Sequence, residues 1–235
     1  MKKVLLYSGG LDSYVGATLL GSEWDLAYFN IGHRYAANEI ETMTSLGLPF
    51  KVHSSLALQE QWVEHESGFI PQRNPLLISL AQAIYDADEI ALCAVAGELS
   101  ADKHSQFFKL MSEMLSYTAN KSVKVFSPFQ KNTKSQIVKK YLEMANPLEP
   151  LMNTRSCYSP DVNNCGLCQA CFRRWVAFEN NGLNDHVEWK TEPVSQIGSL
   201  ISASGIPQIP PNHYVDFFRN QFDVLKAFIK HKRRQ

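Results

Sequence analysis

Short, almost wholly apolar runs alternate with longer stretches of helical periodicity over the first 145 residues. Val4-Leu5-Leu6 reads as a buried strand and Tyr14 to Leu20 as the helix after it. Asp25 to Ile31 predicts a second strand, followed by a helix from Tyr35 to Leu46 that Gly47 ends, with Pro49 just beyond. Phe50 to His53 is a third strand, and residues 56–68 have no clear period. Pro75 is expected as the first residue of an apolar helix reaching Ala87. Glu89 to Val95 predicts a fourth strand, Ser105 to Tyr117 a helix and Val123 to Phe126 a short strand. Thr133 is the expected N-cap of a helix reaching Ala145. Apolar strands alternating with helices predict an α/β fold, a parallel sheet covered on both faces.

From Asn146 the pattern breaks, first with two prolines and then with a crowd of cysteines. After Gly182 a Pro-rich link, Ile206 to Pro211, leads to an amphipathic helix from Tyr214 to Ile229. Its Phe217, Phe218, Phe222, Leu225 and Phe228 recur near the helical period and predict an apolar stripe. The expected division is an α/β domain over 1–148, a small metal-binding module over 149–182 and a helical extension over 183–235. Lys230 to Arg234 is the one basic run and predicts a solvated, partly disordered end.

Composition narrows the function classes. Formal net charge is zero and the pI about 7.0, so no global field draws the chain onto nucleic acid. No stretch is apolar enough for a membrane span, and the N-terminus enters a strand rather than a signal segment, which predicts a cytoplasmic protein. Cysteine placement agrees with a reducing compartment, since four of the five fall within residues 157–171. Cys93 stands apart in an apolar run and reads as a core residue.

Two stretches carry chemistry. The first is Ser8-Gly9-Gly10-Leu11-Asp12-Ser13, between the first strand and helix. Adjacent glycines let a bulky anion approach the backbone, and the N–H groups of a helix N-terminus favour negative charge. Ser8 and Ser13 add hydroxyls, and Asp12 can cap the helix or help to hold Mg²⁺. No Lys follows at Walker spacing, and the pattern is not GxGxxG. The second stretch is Cys157, Cys165, Cys168 and Cys171, spaced C-x7-C-x2-C-x2-C. Four thiolates complete a tetrahedral Zn²⁺ and leave no open position, so a structural zinc is expected, clamping an otherwise irregular segment. A [4Fe–4S] cluster would also accept four thiolates.

The glycine turn resembles the SGGxDS loop of ATP-pyrophosphatases, which cut ATP between the α and β phosphates. Loop and cysteines together resemble the 7-cyano-7-deazaguanine synthase family, with Ser156-Cys157-Tyr158 and Cys165-Gly166-Leu167-Cys168-Gln169-Ala170-Cys171-Phe172-Arg173-Arg174 matching its C-x7-C-G-x-C-x-x-C-x-x-R. Phe29-Asn30-Ile31-Gly32-His33-Arg34 is similar to its F-D-Y-G-Q-R, and Phe69-Ile70-Pro71-Gln72-Arg73-Asn74 to its F-V-P-G-R-N. Ser127-Pro128-Phe129 leading to Lys134 resembles its TPL segment and the Lys after it. The likeness spans about residues 3–183. It departs at Asn30, at Gln72 in place of Gly, and over residues 98–108, where Asp102 and Phe107 remain but Gly-Tyr-Pro and Cys-Arg are missing.

The resemblance implies a Rossmann-like sheet of the adenine-nucleotide α-hydrolase type. It also implies ATP-dependent conversion of 7-carboxy-7-deazaguanine to the nitrile, through an acyl-adenylate and an amide, with ammonia as the nitrogen source. Ser8, Gly9, Gly10, Leu11, Asp12, Ser13 and Arg34 would bind ATP with Mg²⁺, while Arg73, Asn74 and Asp102 would meet the acid. Asp12, Ser13, Arg73 and Lys134 are the expected catalytic residues, and the four cysteines the zinc ligands. The expected partners are the small-molecule acid and ammonia, without nucleic acid or membrane, in a homodimer. A ligase stopping at the amide or using another amine is one alternative. A tRNA-modifying ATP-pyrophosphatase is another, and a non-catalytic binding protein a third.

Overall fold

The computed structural model describes residues 1–33, 35–54, 70–98, 100–159, 163–193 and 214–234, with residues 214–219 described by backbone alone. Arg34, the Pro-rich link over 206–211 and the side chains of Phe217 and Phe218 therefore lie outside the described residues. The chain forms two compact units, one of Met1–Ala94, Glu98–Gln130 and Asn153–Arg155, the other of Val95–Gly97, Lys131–Met152 and Ser156–Gln235.

The first unit holds five strands: β1 (Lys3–Leu6), β2 (Asp25–Phe29), β3 (Phe50–His53), β4 (Glu89–Leu92) and β5 (Lys124–Phe126). They form one parallel sheet in the order β3-β2-β1-β4-β5. Helices α1 (Leu11–Leu20), α2 (Ala36–Ser45), α3 (Arg73–Tyr85) and α4 (Ser105–Ala119) connect them. Val4, Leu6, Ala27, Phe29, Ile90 and Val125 present one sheet face to Ile78 and Ala81 of α3 and to Phe108, Met111 and Leu115 of α4. Burial on this scale, about 1.5–3 kcal/mol per large apolar side chain, holds the sheet together.

Several boundaries differ from the sequence reading, each for a local reason. β4 stops at Leu92 because Ser127 Oγ takes over beyond it, accepting from Ala94 N at 3.0 Å and donating to Ala94 O at 2.6 Å. α1 starts at Leu11, with Gly10 in extended conformation as its N-cap, so Asp12 lies in the first turn and not at the cap. α3 starts at Arg73, two residues before Pro75, which sits in the first turn where its missing N–H is no loss. It ends at Asp86 in a left-handed conformation, short of Ala87. Phe108 is buried in the core with Phe107 packed at its edge, and half-buried Cys93 lies against Gly16 of α1.

The second unit is helical: α5 (Lys134–Glu143), α6 (Leu148–Asn153, within this unit to Met152), α7 (Gln169–Asn181) and α8 (Tyr214–Arg234). α5 opens with the expected N-cap, Thr133, in a capping box with Gln136. Between α6 and α7 the described residues around Cys157, Cys165 and Cys168 are irregular, as expected, and Cys171 falls in the first turn of α7. Phe172, Trp175 and Val176 of α7 pack on Val224, Ala227 and Phe228 of α8 and on Trp189. Of the stripe read from sequence, Phe228 packs in this cluster, whereas Phe222 is 67% and Leu225 55% exposed. The basic end is not loose either. Lys230 Nζ donates to Asn180 O at 2.6 Å, and Arg234 approaches Glu179 at 3.5 Å and Asp185 at 3.4 Å. Among the described residues, no helix is long and apolar enough to cross a membrane.

Candidate functional site

In an open parallel sheet, ligands bind at the carboxyl ends of the strands, where the connections diverge. Here that place is β1, whose two neighbours are β2 and β4. The chain leaves β1 through Ser8-Gly9-Gly10 and turns directly into α1. Gly9 has φ 69°, and a Cβ there would lie 2.9 Å from Met43 Cγ and 3.3 Å from Met43 N on α2. Glycine is demanded by the backbone angle and by the close approach together. Ser13, buried in the first turn, donates to Gly10 O at 3.0 Å and accepts from Ser8 N at 3.3 Å. Leu11 is buried and anchors the turn. Arg155 N, absent from the sequence reading, donates to Gly9 O at 3.4 Å. Gly10 offers α1 no side-chain cap, and the partial positive charge of the helix N-terminus favours an anion at this turn.

The same unit holds other polar side chains expected at the site or joined to them. Arg73 begins α3, and the next residue, Asn74, is buried and donates to Asp102 Oδ2 at 2.9 Å. The other Asp102 oxygen accepts from Ser100. Two candidates for the acid-binding region are thus joined, and Asp102 is held by two donors. His104 Nε2 is 2.7 Å from Glu98 O, a bond that fixes the loop. At the end of β2, Tyr28 donates to Glu39 Oε2 at 2.7 Å, and His33 Nε2 lies 3.0 Å from the same oxygen. Burial and then Glu39 push the Tyr28 hydroxyl far above its usual range, with Arg73 opposing. Sequence reasoning missed Tyr28 and Glu39, since nothing in their spacing marks them. Lys134 is the first residue of α5, in the second unit.

The second unit also holds the sulfur cluster. The Sγ atoms of Cys157, Cys165, Cys168 and Cys171 all lie within 4.8 Å of one another. Ligands bonded at about 2.3 Å to one tetrahedral ion sit about 3.8 Å apart; Cys165 and Cys171 are separated by 3.8 Å. A four-iron cube gives each thiolate its own iron and spreads them wider. The donor set therefore fits a single ion. Backbone N–H groups of Ser159 and Cys165 point at Cys157, that of Leu167 at Cys165 and that of Cys171 at Cys168. Gly166, at φ 75°, brings the chain so near Thr191 that a Cβ would stand 1.6 Å from its carbonyl oxygen. Hydrogen bonds from Cys157 and Cys171 hold Cys168 well below the usual thiol range; the bond to Cys168 pushes Cys157 up, and those to Cys157 and Cys168 push Cys171 up. Arg174, three residues on and fully buried, donates to Met152 O at 2.7 Å and stacks on Phe178 at 4.5 Å. Desolvation pushes its guanidinium down to about 10, so at neutral pH it stays a cation.

A parallel sheet of this order, with Ser-Gly-Gly-x-Asp-Ser between its first strand and helix, defines an α/β protein of the pyrophosphate-loop class. Residues 50–182 match the family model described as queuosine biosynthesis protein QueC, and the chain belongs to that family. A 7-cyano-7-deazaguanine synthase 2 of Sulfurisphaera tokodaii is 34% identical over 225 residues, covering 81% of this chain and 48% of its own length. The chain thus spans about half the length of this relative and of two further synthases, from Sulfolobus acidocaldarius and Saccharolobus solfataricus. A 7-cyano-7-deazaguanine synthase of Methanococcus aeolicus is 31% identical, covering 80% of this chain and 99% of its own. Among solved structures, the U34-tRNA thiolase NcsA from Methanococcus maripaludis with its [4Fe-4S] cluster matches at TM-score 0.39 and 14% identity, covering 80% of this chain and 74% of its own. That likeness is too distant to bear on function.

Proposed function

We propose that the chain uses ATP and ammonia to convert 7-carboxy-7-deazaguanine to 7-cyano-7-deazaguanine. The observation that carries this reading is the uncapped N-terminus of α1 behind Gly9, in a chain whose similar relatives bear the synthase name. The acid's carboxylate attacks the α-phosphorus of ATP, and pyrophosphate leaves toward Ser8–Ser13, where backbone N–H groups offset its charge. Asp12 would hold Mg²⁺, which supplies further charge neutralisation at the departing phosphates. Arg73, with Asn74 and Asp102 behind it, receives the acid, and Arg34 and Lys134 are the remaining cations assigned to ATP and the reacting phosphate. Ammonia displaces AMP to give the amide. A second ATP activates the amide oxygen, and its departure leaves the nitrile. Zn²⁺ is the ion assigned to the four cysteines, in a structural role. A cytoplasmic setting keeps those thiols reduced. A homodimer is the proposed assembly, supported by the exposed Leu110, Met114 and Tyr117 of α4.

The test is a product assay with the deazaguanine acid, ATP, Mg²⁺ and an ammonium salt. Pyrophosphate release that depends on the acid, and a product with the mass of the nitrile, are expected. Gly9→Ala should lower both by on the order of 10²-fold, the scale of losing a preorganised oxyanion contact. A product that stops at the amide corrects the final step. No acid-dependent pyrophosphate release sinks the reading.

A further inference from the structure

The connection between β2 and α2 carries a partly buried polar cluster that the glycine turn does not use. Tyr28, Glu39 and His33 converge on one carboxylate oxygen, Glu39 Oε2, with Tyr28 Oη 3.5 Å from His33 Nε2. A carboxylate has no proton to give at neutral pH, so Nε2 of His33 carries the hydrogen and Nδ1 keeps its lone pair. The imidazole is 8% exposed, and Nδ1 is buried without a hydrogen-bond partner among the described residues. A fold does not normally leave a buried acceptor without a donor, and such an atom points to a missing partner. The rings of Tyr28 and Tyr35 stand 6.4 and 6.2 Å from the imidazole, centre to centre. The cluster lies at the carboxyl end of β2, the strand beside β1 and its glycine turn. Arg73, proposed above to receive the acid, is near enough to act on the Tyr28 hydroxyl.

A lone pair, a carboxylate and two aromatic rings together suit a small cation that bears N–H donors. We infer that this cluster receives the nitrogen nucleophile as ammonium, and that His33 Nδ1 takes one of its protons. The inference rests on the functional reading above. An N–H bond of ammonium breaks, its electron pair stays on nitrogen, and the proton moves to Nδ1, where Glu39 offsets the new charge. The freed pair forms the C–N bond at the activated carbonyl carbon, and AMP leaves with the C–O pair. The second proton lost from nitrogen goes to the departing phosphate, and His33 returns its own to solvent. Among the described residues, the titratable groups against His33 are Tyr28 on β2 and Tyr35 and Glu39 at and in α2, with Arg73 of α3 acting on Tyr28.

The experiment separates the nitrogen step from the adenylation before it. In His33→Gln, acid-dependent ATP–pyrophosphate exchange should stay within about twofold of the unaltered protein. Amide formation from ammonium at pH 7 should fall on the order of 10²-fold, the lower end for a general base. The deficit should close as rising pH supplies free ammonia. Hydroxylamine, already neutral at pH 7, should still trap the activated acid at the unaltered rate. Glu39→Gln, which leaves the imidazole in place, should show the same pattern at smaller amplitude, and it carries the test if circular dichroism shows the His33 variant misfolded. Equal losses in exchange and amide formation, or a deficit that does not change with pH, overturn the assignment. If the unaltered protein shows no acid-dependent exchange, the functional reading has failed and this inference falls with it.

Discussion

At Gln72 the backbone sits at φ 60° and ψ 11°, immediately before the first residue of α3. That conformation crowds the Cβ of any L-residue, by about 1–2 kcal/mol. The family pattern has Gly here, and the angle explains why: the turn must reverse before Arg73 can begin a helix. Gln72→Gly removes the crowding but loosens the unfolded chain, which costs about 0.5–1 kcal/mol. The expected net is a gain of about 0.5–1 kcal/mol, read as a higher urea midpoint with unchanged slope; a lower midpoint would show that the Gln side chain has a use. At the same scale, the turn at Gly9, Gly10 and Ser13 and the clustering of the four cysteines were legible because they depend on residue type and near-neighbour spacing. Tyr28, Glu39 and Arg155 were not, because each acts through a contact made only when distant stretches meet.

Element boundaries follow local chemistry where it is strong. Thr133 and Gln136 form the capping box that starts α5: Gln136 Oε1 accepts from Thr133 N at 2.9 Å, and Thr133 Oγ1 accepts from Gln136 N at 3.4 Å. Thr133 also bonds Asp223 of α8, so the cap ties two helices of the second unit together. Thr133→Ala should cost about 1–2 kcal/mol and speed amide exchange over the first turn of α5, while Thr133→Ser keeps most of the stability. Where local signals are weak, the elements went unread. α7 carries Phe, Trp, Val and several Asn, poor helix formers in isolation, and it forms because α5 and α8 cover it. Its end was legible, since Gly182 adopts the left-handed angle that closes a helix.

At the scale of the molecule, the two units are held by different means. The first has a continuous apolar core across one sheet face, whereas the second packs a small aromatic cluster and gathers four cysteine sulfurs. A structural ion at four thiolates supplies roughly 10–16 kcal/mol of apparent folding free energy at neutral pH. Stripping the metal with a chelator should therefore unfold the second unit alone. The expected signs are lost near-ultraviolet signal from buried Trp175, new protease cleavage within 156–190, and a sheet unit that still melts cooperatively. Elemental analysis should give one zinc per chain before treatment. Iron with labile sulfide, or no change on chelation, would refute the structural-zinc assignment.

The order of strands and helices in the first unit, the glycine turn after β1 and the cluster of four cysteines were determined by the chain alone. Apolar runs, glycine pairs and cysteine spacings act over a few residues, where steric and hydrogen-bonding rules need no partner. The tertiary structure decided which face of α8 is buried, that the basic end docks on Asn180 and Glu179, and that α6 and α7 exist as helices. It also brought Tyr28, His33 and Glu39 onto one oxygen. Those outcomes depend on which surfaces lose water together, and that is settled only when segments far apart in sequence compete for the same core.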